Sequence, residues 1–75
     1  VYVDPPYLKV GAADPKWTKK FQRLMPEFGQ DVGLVDGQYG ARSKQACVNI
    51  QIFFGLLADG ECGPKTWAVV LGVAP

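Results

Sequence analysis

Apolar residues recur at helical spacing in three stretches of the chain, separated by segments rich in Gly, Pro and Asp. Asp14-Pro15 reads as a helix start, because Asp accepts from the free N–H groups of a first turn and Pro has no N–H to leave unpaired there. Trp17, Phe21, Leu24, Met25 and Phe28 then share one face, with Lys16, Lys19, Lys20 and Arg23 largely off it. Pro26 lies inside this pattern, so the helix is predicted to end or kink near Leu24 or Met25, with Gly29 as the stop. A second helix is predicted over about 41–54. Ala46, Ile50 and Phe53 form its stripe, Cys47 and Phe54 widen it, and Gly55 ends it. A third, short helix over about 64–71 buries Trp67, Val70 and Leu71 and stops at Gly72. No segment alternates well enough to predict a strand, beyond a residue or two of extended pairing at the turns. Three helices with one apolar face each predict an all-α fold, a small three-helix bundle.

Residues 1–13 contain Pro5, Pro6 and Gly11 and read as an N-terminal arm or linker, leaving 14–75 as the folded domain. The arm's Tyr2, Tyr7, Leu8 and Val10 are too apolar for a freely solvated tether. Tyr2, Tyr7 or Leu8 is expected to pack on the apolar excess around Ile52-Phe53-Phe54. A chain that opens on Val1 rather than Met is expected to be a piece of a longer protein.

Composition narrows the function classes. Seventy-five residues make one domain of marginal stability, and an apolar content of 48% argues for a core rather than disorder. A formal net charge of +1 argues against a nucleic-acid module, so the local basic run is read as the solvated face of the first helix. No apolar run approaches the roughly 20 residues of a membrane span. The chain has no histidine, which removes the commonest general base and the usual triads. Two cysteines cannot make a structural zinc site, so no metal and no cofactor is expected. Cys47 and Cys62 are either one disulfide or two buried thiols.

Between the helices a motif repeats. Val35-Asp36-Gly37-Gln38-Tyr39-Gly40-Ala41-Arg42-Ser43 is echoed by Ala58-Asp59-Gly60-Glu61-Cys62-Gly63-Pro64-Lys65-Thr66, both Asp-Gly-x-x-Gly-x-(Arg/Lys)-(Ser/Thr). Asp before Gly is a strong turn signal, and the second glycine falls where a helix begins. Asp36, Gly37 and Gly40, with Asp59, Gly60 and Gly63, are therefore structural turn residues, and two turn-helix units fix the architecture.

These residues resemble the peptidoglycan-binding domain of bacterial and phage cell-wall hydrolases. The resemblance runs from about residue 16 to 72. It is carried by Phe21-Gln22-x-Leu24, Phe28-Gly29, the first repeat, Ser43-x-x-Ala46, Ile50-Gln51, Gly55-Leu56 and Asp59-Gly60-x-x-Gly63-Pro64-x-Thr66-Trp67. It implies a three-helix fold and a non-catalytic module holding an attached hydrolase on peptidoglycan, outside the cell or at the wall, whether secreted or released by a phage. It also implies packing of the second helix against the second turn, which brings Cys47 and Cys62 close enough for a possible disulfide. Pro26, the apolar Ile52-Phe53-Phe54 and the two cysteines depart from the family's pattern.

No catalytic residue is expected. Asp36 and Asp59 could pass for a glycosidase carboxylate pair, but each has a turn to fix. Ser43 and Thr66 lack a base and read as first-turn hydroxyls. The expected ligand surface is Gln38, Tyr39, Arg42, Gln45 and Asn49, with a place in the small core as the alternative reading of Tyr39. An aromatic ring stacks on a sugar, a guanidinium holds a carboxylate by two bonds, and amides suit glycan hydroxyls and peptide carbonyls. The partners are then peptidoglycan, glycan or stem peptide, and an attached catalytic domain, the module itself acting as a monomer without nucleic acid or membrane. The rival readings are a protein-interaction domain that keeps the fold without wall binding, a helical nucleic-acid binder, and a small enzyme.

Overall fold

The computed structural model describes residues 5–72. Its three α-helices are α1 (Pro15–Leu24), α2 (Ala41–Phe53) and α3 (Pro64–Val70), and extended pairing among the described residues is limited to isolated bridges. Asp14 caps α1, its Oδ1 accepting the Trp17 N–H at 3.1 Å, and Pro15 takes the first helical position. α1 stops at Leu24, ahead of Pro26, and the chain runs on as a 3₁₀ turn, Met25–Phe28. Gly29, at φ 73°, closes that turn, with the Gln30 N–H reaching back to the Met25 carbonyl. Gly55 closes α2 in the same left-handed conformation, and the Leu56 N–H donates to the Gln51 carbonyl at 2.7 Å.

The core forms where the three helices meet the two turns. Leu8, Phe21, Met25, Cys47, Cys62 and Trp67 are buried, with Tyr39, Ala46, Ile50 and Val70 around them. The Phe21 ring lies 5.6 Å from Tyr39 and 6.1 Å from Trp67, and Trp67 meets Trp17 edge-on at 5.5 Å. Such tilted and edge-on contacts suit the ring quadrupoles.

Both long helices turn a partly polar face inward. α1 buries Thr18, Phe21 and Gln22, the 3₁₀ turn after it buries Met25, and α2 buries Ser43, Ala46, Cys47, Ile50 and Gln51. Phe53, placed in the α2 stripe by its spacing, is instead 80% exposed. At 100° per residue it lies about 120° from the middle of the face that Ser43 and Gln51 define. The two polar side chains set the rotation of the helix, and Phe53 and Ile52 are carried into solvent.

The arm also packs elsewhere than expected. Leu8 and Cys62 pair through both backbone bonds, at 3.1 and 2.8 Å, and the Trp67 Nε1–H donates to the Pro6 carbonyl at 2.9 Å. Leu8 thereby enters the core, and Ile52, Phe53 and Phe54 stay exposed. Tyr2 lies outside the described residues. A ladder pair and a satisfied indole hold this segment better than loose apolar contact with α2 would.

Candidate ligand-binding site

Each Asp-Gly turn is clamped by a glutamine from the helix before it. Gln22 Nε2 donates to Asp36 Oδ1 (3.1 Å), the Gln38 carbonyl (3.0 Å) and Ser43 Oγ (3.2 Å), while its Oε1 accepts the Gly37 N–H (3.0 Å). Gln51 repeats the pattern on Asp59, the Glu61 carbonyl, Thr66 Oγ1 and the Gly60 N–H, each at 3.0 Å. An amide nitrogen carries two protons, so among three acceptors one proton is shared. Gln22 and Gln51 are each 1% exposed, and these bonds are what permits a primary amide to be buried there.

The pairing of Gln22 with Gln51 escapes a search for repeats, because Gln22 precedes Asp36 by 14 residues and Gln51 precedes Asp59 by 8. The surviving signal is the pair of dipeptides Phe21-Gln22 and Ile50-Gln51, an aromatic or aliphatic residue followed by Gln on a helix.

Both aspartates are bound into the turns. Asp36 Oδ1 also accepts the Gln38 N–H, and Asp59 Oδ1 the Glu61 N–H, each at 2.9 Å. The Gln38 N–H, and after it the Gln22 amide, hold the Asp36 carboxyl below the usual range, and the Glu61 N–H does the same chiefly for Asp59. Each carboxylate stays ionised at neutral pH and accepts from the backbone, which suits a turn anchor rather than a proton donor.

Outside the two clamps lie two clefts with matching linings. Gln22, Asp36, Gln38, Gly40, Ala41, Arg42 and Ser43 line the first, of about 340 Å³. Gln51, Asp59, Glu61, Gly63, Pro64, Lys65 and Thr66 line the second, of about 320 Å³, residue for residue their repeat partners. Val32, Gly33 and Leu34 complete the first, whereas Tyr7, Leu56 and Leu57 complete the second.

The five expected ligand residues divide three ways. Gln38 and Arg42 line the first cleft, both exposed. Gln45 and Asn49 are exposed on α2 and joined by a 3.0 Å bond; Asn49 donates onward to Gln30 Oε1 at 2.9 Å, and Asn49 and Gln30 line a third cleft with Phe28, Phe53 and Phe54. Tyr39 is only 5% exposed, and its hydroxyl donates to the Gly60 carbonyl at 2.8 Å. The structure thus places Tyr39 in the core, as a tie from the first turn to the second.

Cys47 and Cys62 are free, buried thiols that face one another in the core. Burial pushes the Cys62 thiol up, and Tyr39 as well. The neighbouring Cys62 thiol is the chief group that holds the Cys47 thiol below the usual range, which makes Cys47 the more acidic of the pair. No group of three or more His, Cys, Asp or Glu suited to a metal ion, and no helix long and apolar enough to cross a membrane, occurs among the described residues.

Residues 18–70 match the model of the peptidoglycan binding domain family. The chain is 42% identical over 45 residues to the N-acetylmuramoyl-L-alanine amidase CwlM of Mycobacterium tuberculosis, covering 60% of the chain and 11% of that protein. It is 40% identical over 48 residues to a protein of Bacillus licheniformis named probable N-acetylmuramoyl-L-alanine amidase, covering 64% of the chain and 14% of that protein. It thus spans a small fraction of either relative's length. No solved structure matches significantly.

Proposed function

Because the chain belongs to the peptidoglycan binding domain family, we propose that it is a non-catalytic module that holds an attached cell-wall hydrolase, of the amidase type its relatives are named for, on peptidoglycan. The observation that carries this reading is that the match, over residues 18–70, takes in both glutamine-clamped turns and the open first cleft between them and solvent. Gln38 and Arg42 at that cleft are the leading contacts, with Gln45 and Asn49 as a neighbouring amide rim. Tyr39 is left to the core. The module works at the wall, outside the cell that makes it, by raising the concentration of its enzyme there; tethering lets a weak site suffice.

The test is co-sedimentation with purified insoluble peptidoglycan. Binding is expected, no tighter than about micromolar, because the surface offers few desolvated anchors. Protein that stays wholly in the supernatant with walls from several species overturns the reading. A second reading, a protein-interaction domain, is favoured by exposed Ile52, Phe53, Phe54 and Leu57, and would then take its place.

A further inference from the structure

Gly40 and Gly63 occupy the same place in the two units, and the structure explains only one of them. Neither has the positive φ that calls for glycine, since both are extended, at φ −102° and −96°. At Gly63 the reason is contact: a Cβ there would lie 2.5 Å from Tyr7 Cε1 and 2.8 Å from Cζ, so the phenol ring rests directly on the glycine backbone. At Gly40 a Cβ would meet nothing within 4 Å among the described residues. The two clefts share their clamp, their turn and their helix start, and differ in that one has the chain's own ring laid across it.

We propose that a pyranose ring of a glycan strand lies on Gly40 in the first cleft, in the place that the Tyr7 ring takes on Gly63 in the second. This deepens the wall-binding reading and rests on it. A pyranose is a six-membered ring with an apolar C–H face, close in size to a phenol, and it needs the flat approach that a side chain at position 40 would block. Gln38 and Arg42 stand at the rim of the same cleft, placed to donate to ring hydroxyls and to the carbonyl of an N-acetyl group. A stem peptide has no comparable flat face and would draw on Arg42 without using the bare backbone at Gly40. In the second cleft the Tyr7 ring already covers the backbone at Gly63, so the module takes one sugar ring on a bare glycine rather than two.

The substitution Gly40→Asn separates folding from binding. Asn is at least as good a helix N-cap as glycine and its backbone accepts φ −102°, so the melting temperature should hold or rise. Its side chain fills the cleft, so affinity for insoluble peptidoglycan should fall at least tenfold. In an NMR titration, a peptide-free oligomer of β-1,4-linked N-acetylated amino sugars should move the amide signals of positions 40 and 42 in the wild type and leave both positions unmoved in Gly40→Asn. Tyr7→Ala should bind a second equivalent of the oligomer and move the Gly63 amide. Wild-type affinity in folded Gly40→Asn overturns the ring site and leaves wall binding standing. Movement of the Gly40 amide by released stem peptides, and not by the oligomer, also overturns it, and a single equivalent in Tyr7→Ala overturns the role given to Tyr7. If the wild type fails to sediment with walls, the functional reading falls, and the oligomer titration then decides the ring site alone.

Discussion

Replacing Gln51 by Met tests whether the glutamine clamps hold the fold. Met has the length of Gln, so the side chain still fills its space and the change is chiefly the loss of a polar head. Two buried groups are orphaned, the Gly60 N–H and the Thr66 hydroxyl. Asp59 is exposed and finds water, and the Glu61 carbonyl lies at the edge. An unsatisfied buried group costs about 1–3 kcal/mol, so two predict a loss near 4 kcal/mol. A domain of this length has on the order of 4–11 kcal/mol in all, so the variant should lose between about a third and all of its stability. The melting temperature should drop by roughly 16–32 °C, taking 4–8 °C per kcal/mol for a domain of this size. Urea unfolding followed by tryptophan fluorescence reads the change, because Trp67 is buried in the folded state. Gln45→Met is the control: Gln45 sits on the same helix, exposed, with a single bond to Asn49, and should change stability by less than about 0.5 kcal/mol. A loss under about 1 kcal/mol in Gln51→Met, with an unchanged denaturant slope, would refute the clamp.

Leu8→Ala should cost about 2–5 kcal/mol in the same assay, because Leu8 is buried in the core; an unchanged midpoint would show that the N-terminal segment is a bare tether. Thr18→Val should raise stability by about 1 kcal/mol, since Thr18 Oγ1 is buried without a hydrogen-bond partner, and a loss would mean that the hydroxyl is satisfied. Asp36 and Asp59 have folded pKa values below their unfolded ones, so they bind fewer protons folded than unfolded and their stabilisation is present above the unfolded value. It is lost as pH falls below about 4. Urea midpoints measured from pH 7 down to pH 2 should show that loss, and a double variant Asp36→Asn, Asp59→Asn should flatten it.

The helices were legible because their punctuation is local. Asp14-Pro15 opens α1, Pro26 ends it, and Gly29 and Gly55 close their segments through a left-handed backbone that needs no tertiary contact. Their rotation was not legible. Hydrophobic periodicity ranks Phe53 above Gln51 as a core residue, and the structure inverts them, because Gln51 finds four partners in the second turn and Phe53 finds no comparable surface. Tyr39 looked like a sugar platform for the same reason. A tyrosine beside a turn stacks or buries according to whether its hydroxyl meets an acceptor inside, and the Gly60 carbonyl lies 21 residues away in sequence. Of the candidate site, Gln38 and Arg42 could be found from the repeat alone. The matching clefts could not, since their floors are the two glutamines whose spacing to the turns differs.

Helix α2 belongs to both repeat units at once. Its first turn supplies Ser43 to the first clamp and its last supplies Gln51 to the second, and both side chains lie on the buried face. Tyr39 adds a second tie, running from the first turn to the second. Neither unit can therefore close without fixing the helix that the other needs, which makes the two turns one cooperative structure despite their sequence repetition. Divergence is then confined to what the clamps do not use. Positions 38 and 61 both contribute only a backbone carbonyl and N–H to their turns, and so are free to be Gln in one and Glu in the other. Positions 42 and 65 stay cationic, but only the first lines a cleft whose glycine carries no ring from the described chain. A duplicated scaffold in which one glycine is covered by the chain's own Tyr7 and its repeat partner is bare is a physical route by which a symmetric fold acquires a single site.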